Sequence, residues 1–569
     1  MSIVTVCDIN SSGGTNFDFG QYNFSRAQMG KGRKPSLPLA FNVLCTTFRG
    51  TRGGGGQLIL VLLTVSTCAA VGEVGEREVL NVTDLGQGHE ASWVKALEER
   101  LGDAVSAAPE DLESHARDEG YQHEYAPDCV VYARDKQDVL DALEIAREHR
   151  VPVTPYGAGS SLEGAVLPVE GGISLDLSRM NRVLSTEPEN LCVSAEPGVT
   201  LMELNEQLFA YGLFFSIDLG ADASLGGMAG TNASGSNALR YGDMREQVLG
   251  MEVVLSDGRI IQVGSKAHKT SSGYDLKSLL VGSEGTLGIV TRLTIKVQPL
   301  PAHRESIRVT FENIGSAVEA AAGLSRSGLG LSRVELVDEV MIRAVNSYQS
   351  SDYDEKPTLW MEFHGSGETA VAEDVEAAER MLEEAGAFEI TAARTEQEQK
   401  ELWDARNQAW YAAEEWYPED HTVSSDICVP LGRLHEAIAH TRRLMDEHSL
   451  FAPILGHVGD GNYHVFFHVP PNDENAWKRL DEVLGGMTAN ALELGGTSTG
   501  EHGVGLRKMK YQEGEHGVAL SLMRQVKEVF DPLGLLNPAK VIPSLEETGG
   551  ERLRRLRDDL QPEAGDGTL

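Results

Sequence analysis

Pro152-Val153-Thr154-Pro155 leads into Tyr156-Gly157-Ala158-Gly159-Ser160-Ser161-Leu162-Glu163-Gly164, and Gly172-Ile173-Ser174-Leu175-Asp176 follows soon after. The apolar ends predict two short strands. The loop between them holds three Gly and two Ser in nine residues, so its backbone N–H groups can turn toward an anion. A plain Gly-rich turn is the other reading of such a stretch. It is not a G-x-G-x-x-G turn opening a long crossover helix, because the next strand arrives too early, and a Rossmann fold is disfavoured. Upstream, residues 135–149 have the apolar spacing of an amphipathic helix, with Val139, Leu140, Leu143 and Ile145 among its apolar positions.

Two further small-residue stretches follow. Gly220-Ala221-Asp222-Ala223-Ser224-Leu225-Gly226-Gly227-Met228 and Thr231-Asn232-Ala233-Ser234-Gly235 would let backbone approach a large flat ligand. Before them, Thr200 with Glu203 predicts a helix start with a capping box. After them, residues 251–263 predict a hairpin turned at Asp257-Gly258. Gly282-Ser283-Glu284-Gly285-Thr286-Leu287-Gly288-Ile289 then enters another strand. Beyond Pro299-Leu300-Pro301 the composition changes to longer helices alternating with strands, including one long helix over 395–416.

This second half contains His457-Val458-Gly459-Asp460-Gly461-Asn462-Tyr463-His464 and, further on, Gly500-Glu501-His502-Gly503. Gly459 and Gly461 disfavour a helix, so the first stretch reads as strand, turn, strand. Two His and a carboxylate form a common ligand set for a divalent metal with open positions. Another His beside the carboxylate could serve as a base. Solvated or core histidines are the bland alternative.

Length allows two or three domains. Asp and Glu total 86 against 49 Lys and Arg, a net charge of −37, which argues against nucleic acid or anionic membrane as partner. Residues 1–90 carry seven acidic and seven basic groups, so the whole excess lies in the remainder. An acidic body poor in Lys suits concentrated salt, and a halophilic host is expected. Among Cys7, Cys45, Cys68, Cys129, Cys192 and Cys428 there is no C-x-x-C pair, hence no zinc ribbon or iron–sulfur run. The last three read as thiols of a reducing compartment.

Residues 1–90 do not match the rest. Their apolar run, 58–65, falls far short of the about 20 residues that span a bilayer and lies too far from Met1 for a signal peptide. Disorder or an upstream-extended start is expected, with a targeting or anchoring signal, or a folded role, as the alternatives. The expected location is cytoplasmic, with peripheral membrane association as a variant. The charged tail, 546–569, is expected to fray.

The three Gly-rich elements and two His/Glu elements, in this order and followed by Asn537-Pro538, resemble the FAD-linked 2-hydroxy-acid dehydrogenases of the vanillyl-alcohol oxidase superfamily. Within it they resemble most the branch of cytochrome-linked D-lactate dehydrogenases and the glycolate oxidase D subunit. The resemblance covers residues 128–543. It implies an α+β fold: a two-subdomain FAD-binding domain of the PCMH type over 91–300, then a ferredoxin-like α+β substrate or cap domain over 301–545, with C-terminal helices packing on the FAD domain.

Tyr156, Gly157, Ala158, Gly159, Ser160, Ser161 and Gly164 would hold the pyrophosphate. Gly220, Ala221, Asp222, Ser224, Gly227, Thr231, Ser234 and Gly235 would line the isoalloxazine and ribityl chain. Glu284, Gly285 and Ile289 would lie near pyrophosphate or adenosine, and Asn537 completes the cofactor set. The phosphate loop holds no His or Cys, so FAD is expected to be non-covalent.

The resemblance further implies oxidation of a small D-2-hydroxy acid, D-lactate first. A divalent metal (Zn, Mn or Fe) would be held by His457, His464 and Glu501. His502 would take the hydroxyl proton, hydride would pass to flavin N5, and Arg406 would clamp the substrate carboxylate. A surface ion pair is the other reading of Arg406, and plain core the other reading of Trp410. Relatives that use D-2-hydroxyglutarate place hydroxyl and Lys groups where Trp410 and Ser424 stand here. Electrons would leave to a separate acceptor (quinone, cytochrome or electron-transfer protein), and a homodimer is expected. Glycolate or D-2-hydroxyglutarate oxidation is the near alternative. A non-redox metal-dependent hydrolase is the distant one.

Overall fold

The computed structural model describes the backbone of Phe41–Arg52 and Gly56–Thr67 and the whole of residues 92–543. The first two segments pair antiparallel, Phe41 opposite Thr67, within a unit of their own, Met1–Gly88. The apolar run at 58–65 forms one strand of this hairpin. The other expectations for residues 1–90, and that for the tail, lie outside the described residues.

The remaining unit opens with a four-stranded sheet in the order Val105–Ser106, Cys129–Tyr132, Ile173–Asp176, Val153–Tyr156, the last three parallel. Cys129, Val130, Val131, Ile173 and Leu175 are fully buried, as strands covered on both faces require. The helix Lys136–His149 covers one face. Asp135 caps it by accepting from Gln137 and Asp138 N–H, and Val139, Leu143 and Ile145 enter the core. The predicted Thr200–Glu203 capping box starts the helix Leu201–Phe209.

A five-stranded sheet follows, in the order Ile260–Gly264, Val248–Val254, Ile289–Lys296, Cys192–Ala195, Val183–Glu187. Along Ile289–Lys296 burial alternates, with Ile289, Thr291, Leu293 and Ile295 turned inward, the period of a sheet with one covered face.

The C-terminal half is built on eight strands. Seven follow the order Ala387–Ala393, His303–Phe311, Thr358–Gly365, Leu331–Val337, Ile454–Gly456, Asn462–Val469, His421–Ser424, and Ile427–Cys428 pairs beside them. Helices cover both faces. Leu359 and Met361 join one core with the helices Glu368–Glu384 and Leu434–Glu447, while Trp360 between them joins Trp403 and Phe466 in another. The long helix predicted over 395–416 is two, Glu396–Asn407 and Ala409–Trp416, broken at Gln408.

After the helix Ala519–Phe530 the chain returns to the first sheet. Val153 N–H donates to Leu535 O and Asn537 N–H to Val153 O. Among the described residues no helix is long and apolar enough to cross a membrane.

Candidate functional site

A cavity of about 760 Å³ runs between the Gly-rich loops and the C-terminal sheet, within the range of ligand and cofactor pockets. Its first wall is backbone. A Cβ on Gly157 would stand 2.4 Å from Ser224 Oγ, and one on Gly285, at φ +72°, 2.3 Å from Pro155 Cγ. Only glycine lets these loops meet so closely. Ser224 in turn caps Leu225–Thr231 by accepting the Gly227 N–H. The volume and the small, N–H-rich walls fit FAD.

The opposite wall carries the ionisable groups. His457 follows the strand Ile454–Gly456, His464 lies on Asn462–Val469, and the 459–461 turn joins them, the predicted strand, turn, strand. Glu501 Oε1 lies 3.2 Å from His457 Nε2 and 3.2 Å from His464 Nε2. Each imidazole is held from behind, since His457 Nδ1 meets Glu335 Oε1 at 2.7 Å and His464 Nδ1 meets Ser425 O at 3.0 Å. Both Nε2 atoms thus aim at one point, the way supporting contacts orient metal-binding histidines. The ligand atoms of His457, His464 and Glu501 all fall within 4.8 Å of one another, as do those of Asp426, His464 and His502. The donor set fits a divalent cation.

His502 stacks on His464, ring centroids 4.9 Å apart. Its Nε2 is 3.9 Å from Glu501 Oε1 and its Nδ1 3.7 Å from Glu163 Oε1. Asp426 fixes this loop: its Oδ2 accepts the N–H groups of Gly500, Glu501 and His502 at 2.8, 3.0 and 3.0 Å. Lys508 joins Asp426 to Glu163, at 3.0 and 2.9 Å.

Burial opposes charge here but is outweighed in most cases. The carboxylates of Glu335 and Glu501 hold His457 well above the usual imidazole range. His457 and His464 hold Glu501 well below the carboxylate range, and Lys508 does the same for Asp426. Asp426 and Glu163 raise His502 against its burial. In Asp460, on the turn, burial prevails and the carboxyl is pushed up to about 7.

Of the expected cofactor residues, Tyr156, Gly157, Ala158, Gly159, Ser160, Ser161, Gly220, Ala221, Asp222, Ser224, Gly227, Thr231, Glu284, Gly285 and Ile289 line the cavity, as do Arg406, His457, His464, Glu501 and His502. Gly164, Ser234, Gly235 and Asn537 are not among the lining residues. Asn537 is buried behind the wall and donates to Ala165 O and Glu284 O. Gly164 N–H meets Asp118, and Gly235 N–H meets Glu501 Oε2 at 2.7 Å. The Glu284 carboxylate turns to the N–H groups of Val504 and Gly505, docking the His502 loop.

Arg406 donates through Nε and Nη2 to Glu335 Oε2, so its partner in this structure is a wholly buried carboxylate, not a surface one. Trp410 lines the cavity edge-on to Phe466.

Glu335, Asp426, Glu163 and Lys508 were not singled out from the sequence. Glu335 had a signal, a carboxylate inside the strand run Val334-Glu335-Leu336-Val337, because a charge there needs buried partners.

The FAD binding domain family matches residues 127–264, and that of FAD linked oxidases, C-terminal domain, matches 300–541. The chain is 40% identical over 454 residues to a probable mitochondrial D-lactate dehydrogenase of Danio rerio, covering 79% of this chain and 91% of that protein. It is 33% identical over 425 residues to glycolate oxidase subunit GlcD of Bacillus subtilis, covering 74% and 90%. In fold it is similar to p-cresol methylhydroxylase with substrate bound (TM-score 0.66, 18% identity, 80% of this chain and 97% of that one). It is likewise similar to 4-ethylphenol oxidase from Gulosibacter chungangensis (TM-score 0.65, 19% identity, 81% and 98%).

Proposed function

Since the chain belongs to the FAD-linked oxidases, and is an FAD-dependent oxidoreductase acting on a CH–OH group, we propose that it oxidises a small D-2-hydroxy monoacid, D-lactate first, to the 2-keto acid. The observation that carries this reading is Glu501 Oε1, 3.2 Å from both His457 Nε2 and His464 Nε2, in the cavity that the Gly-rich loops share. We take His457, His464 and Glu501 as ligands of a divalent cation and the Gly-rich loops as the seat of non-covalent FAD. When bound, the flavin accepts a hydride equivalent and the cation stabilises negative charge developing on the hydroxyl oxygen.

The chain's own groups do the rest. Arg406, held by Glu335, turns the substrate carboxylate so that one face of C2 meets the Gly-rich wall. His502 takes the hydroxyl proton at Nε2 while its Nδ1 side stays against Glu163. Trp410, Phe466 and Leu455 make the far wall apolar around a methyl-sized group. Ser424 is the small polar group beside them, and a second carboxylate would be buried there without a cation, costing several kcal/mol, or at least about 10²-fold in selectivity. Electrons then leave to a separate acceptor.

A substrate panel tests the reading. Purified protein is expected to turn over D-lactate with an artificial acceptor, glycolate less well and L-lactate and D-2-hydroxyglutarate poorly, with Arg406→Lys much weaker than wild type. A higher kcat/KM for D-2-hydroxyglutarate, or an active Arg406→Ala, would contradict it.

A further inference from the structure

The strand Leu331–Val337 turns Arg333 and Glu335 to the same face, two residues apart. Glu335 holds Arg406 and His457. Arg333 reaches the other way. Its Nη1 donates to Asp218 Oδ2 at 2.9 Å, its Nη2 to Glu362 Oε2 at 3.0 Å, and its guanidinium lies 3.5 Å from the centre of the Trp403 ring. Asp218 lies in the segment matched by the FAD binding domain, and Arg333, Glu362 and Trp403 in the segment matched by the C-terminal domain.

Asp218 immediately precedes the cavity-lining residues Leu219 and Gly220. It also accepts the Ser236 hydroxyl at 2.7 Å and, through its carbonyl, the Ser236 N–H. The neighbouring Gly235 N–H meets Glu501. On the other side, Trp403 stands one turn before Arg406 on the same helix. One side chain therefore ties a wall of the flavin cavity to the helix and strand that carry the substrate-facing groups.

We propose that Arg333 is a positioning residue, a latch that sets the C-terminal sheet on the flavin-binding half and so fixes where Arg406 and His457 stand relative to the flavin. It does not line the cavity and touches no reacting atom. Its planar fork bridges two carboxylates in different directions while its face lies on an indole, a combination that Lys cannot reproduce. Glu362 stays charged to meet it: Arg333 and His364 outweigh burial and hold its carboxyl at about 2. Hydride transfer depends steeply on alignment, and a shift of about 1 Å can cost about 10²-fold.

The inference rests on the 2-hydroxy-acid reading for its kinetic arm alone. R333K, R333Q, D218N and E362Q holoenzymes are mixed anaerobically with the acid that reduces the wild type, and backbone hydrogen exchange over residues 219–236 is followed without any substrate. D218N weakens the cross-half arm together with the Ser236 hydroxyl contact, which S236A removes by itself as the control for exchange over 219–236, and E362Q weakens the arm within the sheet together with the His364 contact. D218N and R333Q are expected to keep their flavin, to reduce it at least about tenfold more slowly at saturating acid with the acid's Kd within about threefold, and to exchange faster over 219–236. R333K is expected to recover part of the rate. E362Q is expected to lose melting temperature while keeping the reduction rate. Wild-type exchange in D218N, a wild-type reduction rate in D218N, or an equal rate loss in E362Q would overturn the latch. A wild type that no 2-hydroxy acid reduces sinks the functional reading instead, and the exchange arm still decides the latch.

Discussion

Arg406 and His457 share one wholly buried carboxylate. Glu335 takes Arg406 Nη2 at 2.6 Å on Oε2 and His457 Nδ1 at 2.7 Å on Oε1. The arginine proposed to hold the substrate and the imidazole proposed to hold a cation are thereby fixed in mutual register.

Glu335→Gln tests that register. The amide keeps the shape but removes the charge and points one N–H₂ at a neighbour that also donates. Contacts of this kind typically carry a 10–100-fold effect on metal affinity or activity. The variant is expected to retain flavin and to lose about that much in kcat/KM and in cation affinity, measured by turnover and by metal titration. Unchanged values in both would show that Glu335 serves packing alone.

Removal of the cation should separate two properties. Exhaustive chelation, or His464→Ala, is expected to abolish turnover while flavin content stays intact, because among the described residues His464 and His457 make no hydrogen bond to the Gly-rich stretches and Glu501 meets them only through the Gly235 N–H. Full activity after chelation would remove the cation from the chemistry.

Glu284 gives a pH test away from those ligands. Burial pushes its carboxyl up to about 7 despite the N–H groups of Val504 and Gly505. The folded value lies above the unfolded one, so the stability it contributes is complete below the ordinary Glu value and is lost as pH rises through about 7. Glu284→Gln removes this dependence. The melting temperature of the variant relative to wild type is expected to rise between about pH 5 and about pH 8, by the equivalent of up to about 3 kcal/mol. A flat or falling difference would show that Glu284 stays charged in the fold.

The legible parts of this chain were those whose physics is local. The amphipathic helix over 135–149, the Thr200–Glu203 box and the Asp257-Gly258 turn depend on neighbours a few residues away, and each appears as expected. The Gly-rich loops were legible because small residues in series have few uses. Glu335, Asp426 and Lys508 were not, because their roles rest on partners far along the chain: Asp426 gathers N–H groups some seventy-five residues away. Asn537 was assigned to the cofactor on its motif alone, yet its amide spans Ala165 O and Glu284 O behind the wall. The helix break at Gln408 carries no Pro or Gly and left no mark in the apolar pattern.

The most direct test of the central proposal needs neither an acceptor nor a variant. Purified protein in its FAD-bound form is mixed with D-lactate in the absence of oxygen, and the yellow flavin absorption is followed. D-lactate is expected to bleach it, with one pyruvate formed per flavin, while L-lactate leaves it coloured. A flavin that stays oxidised with every small D-2-hydroxy acid would contradict the assignment of this cavity to hydroxy-acid oxidation.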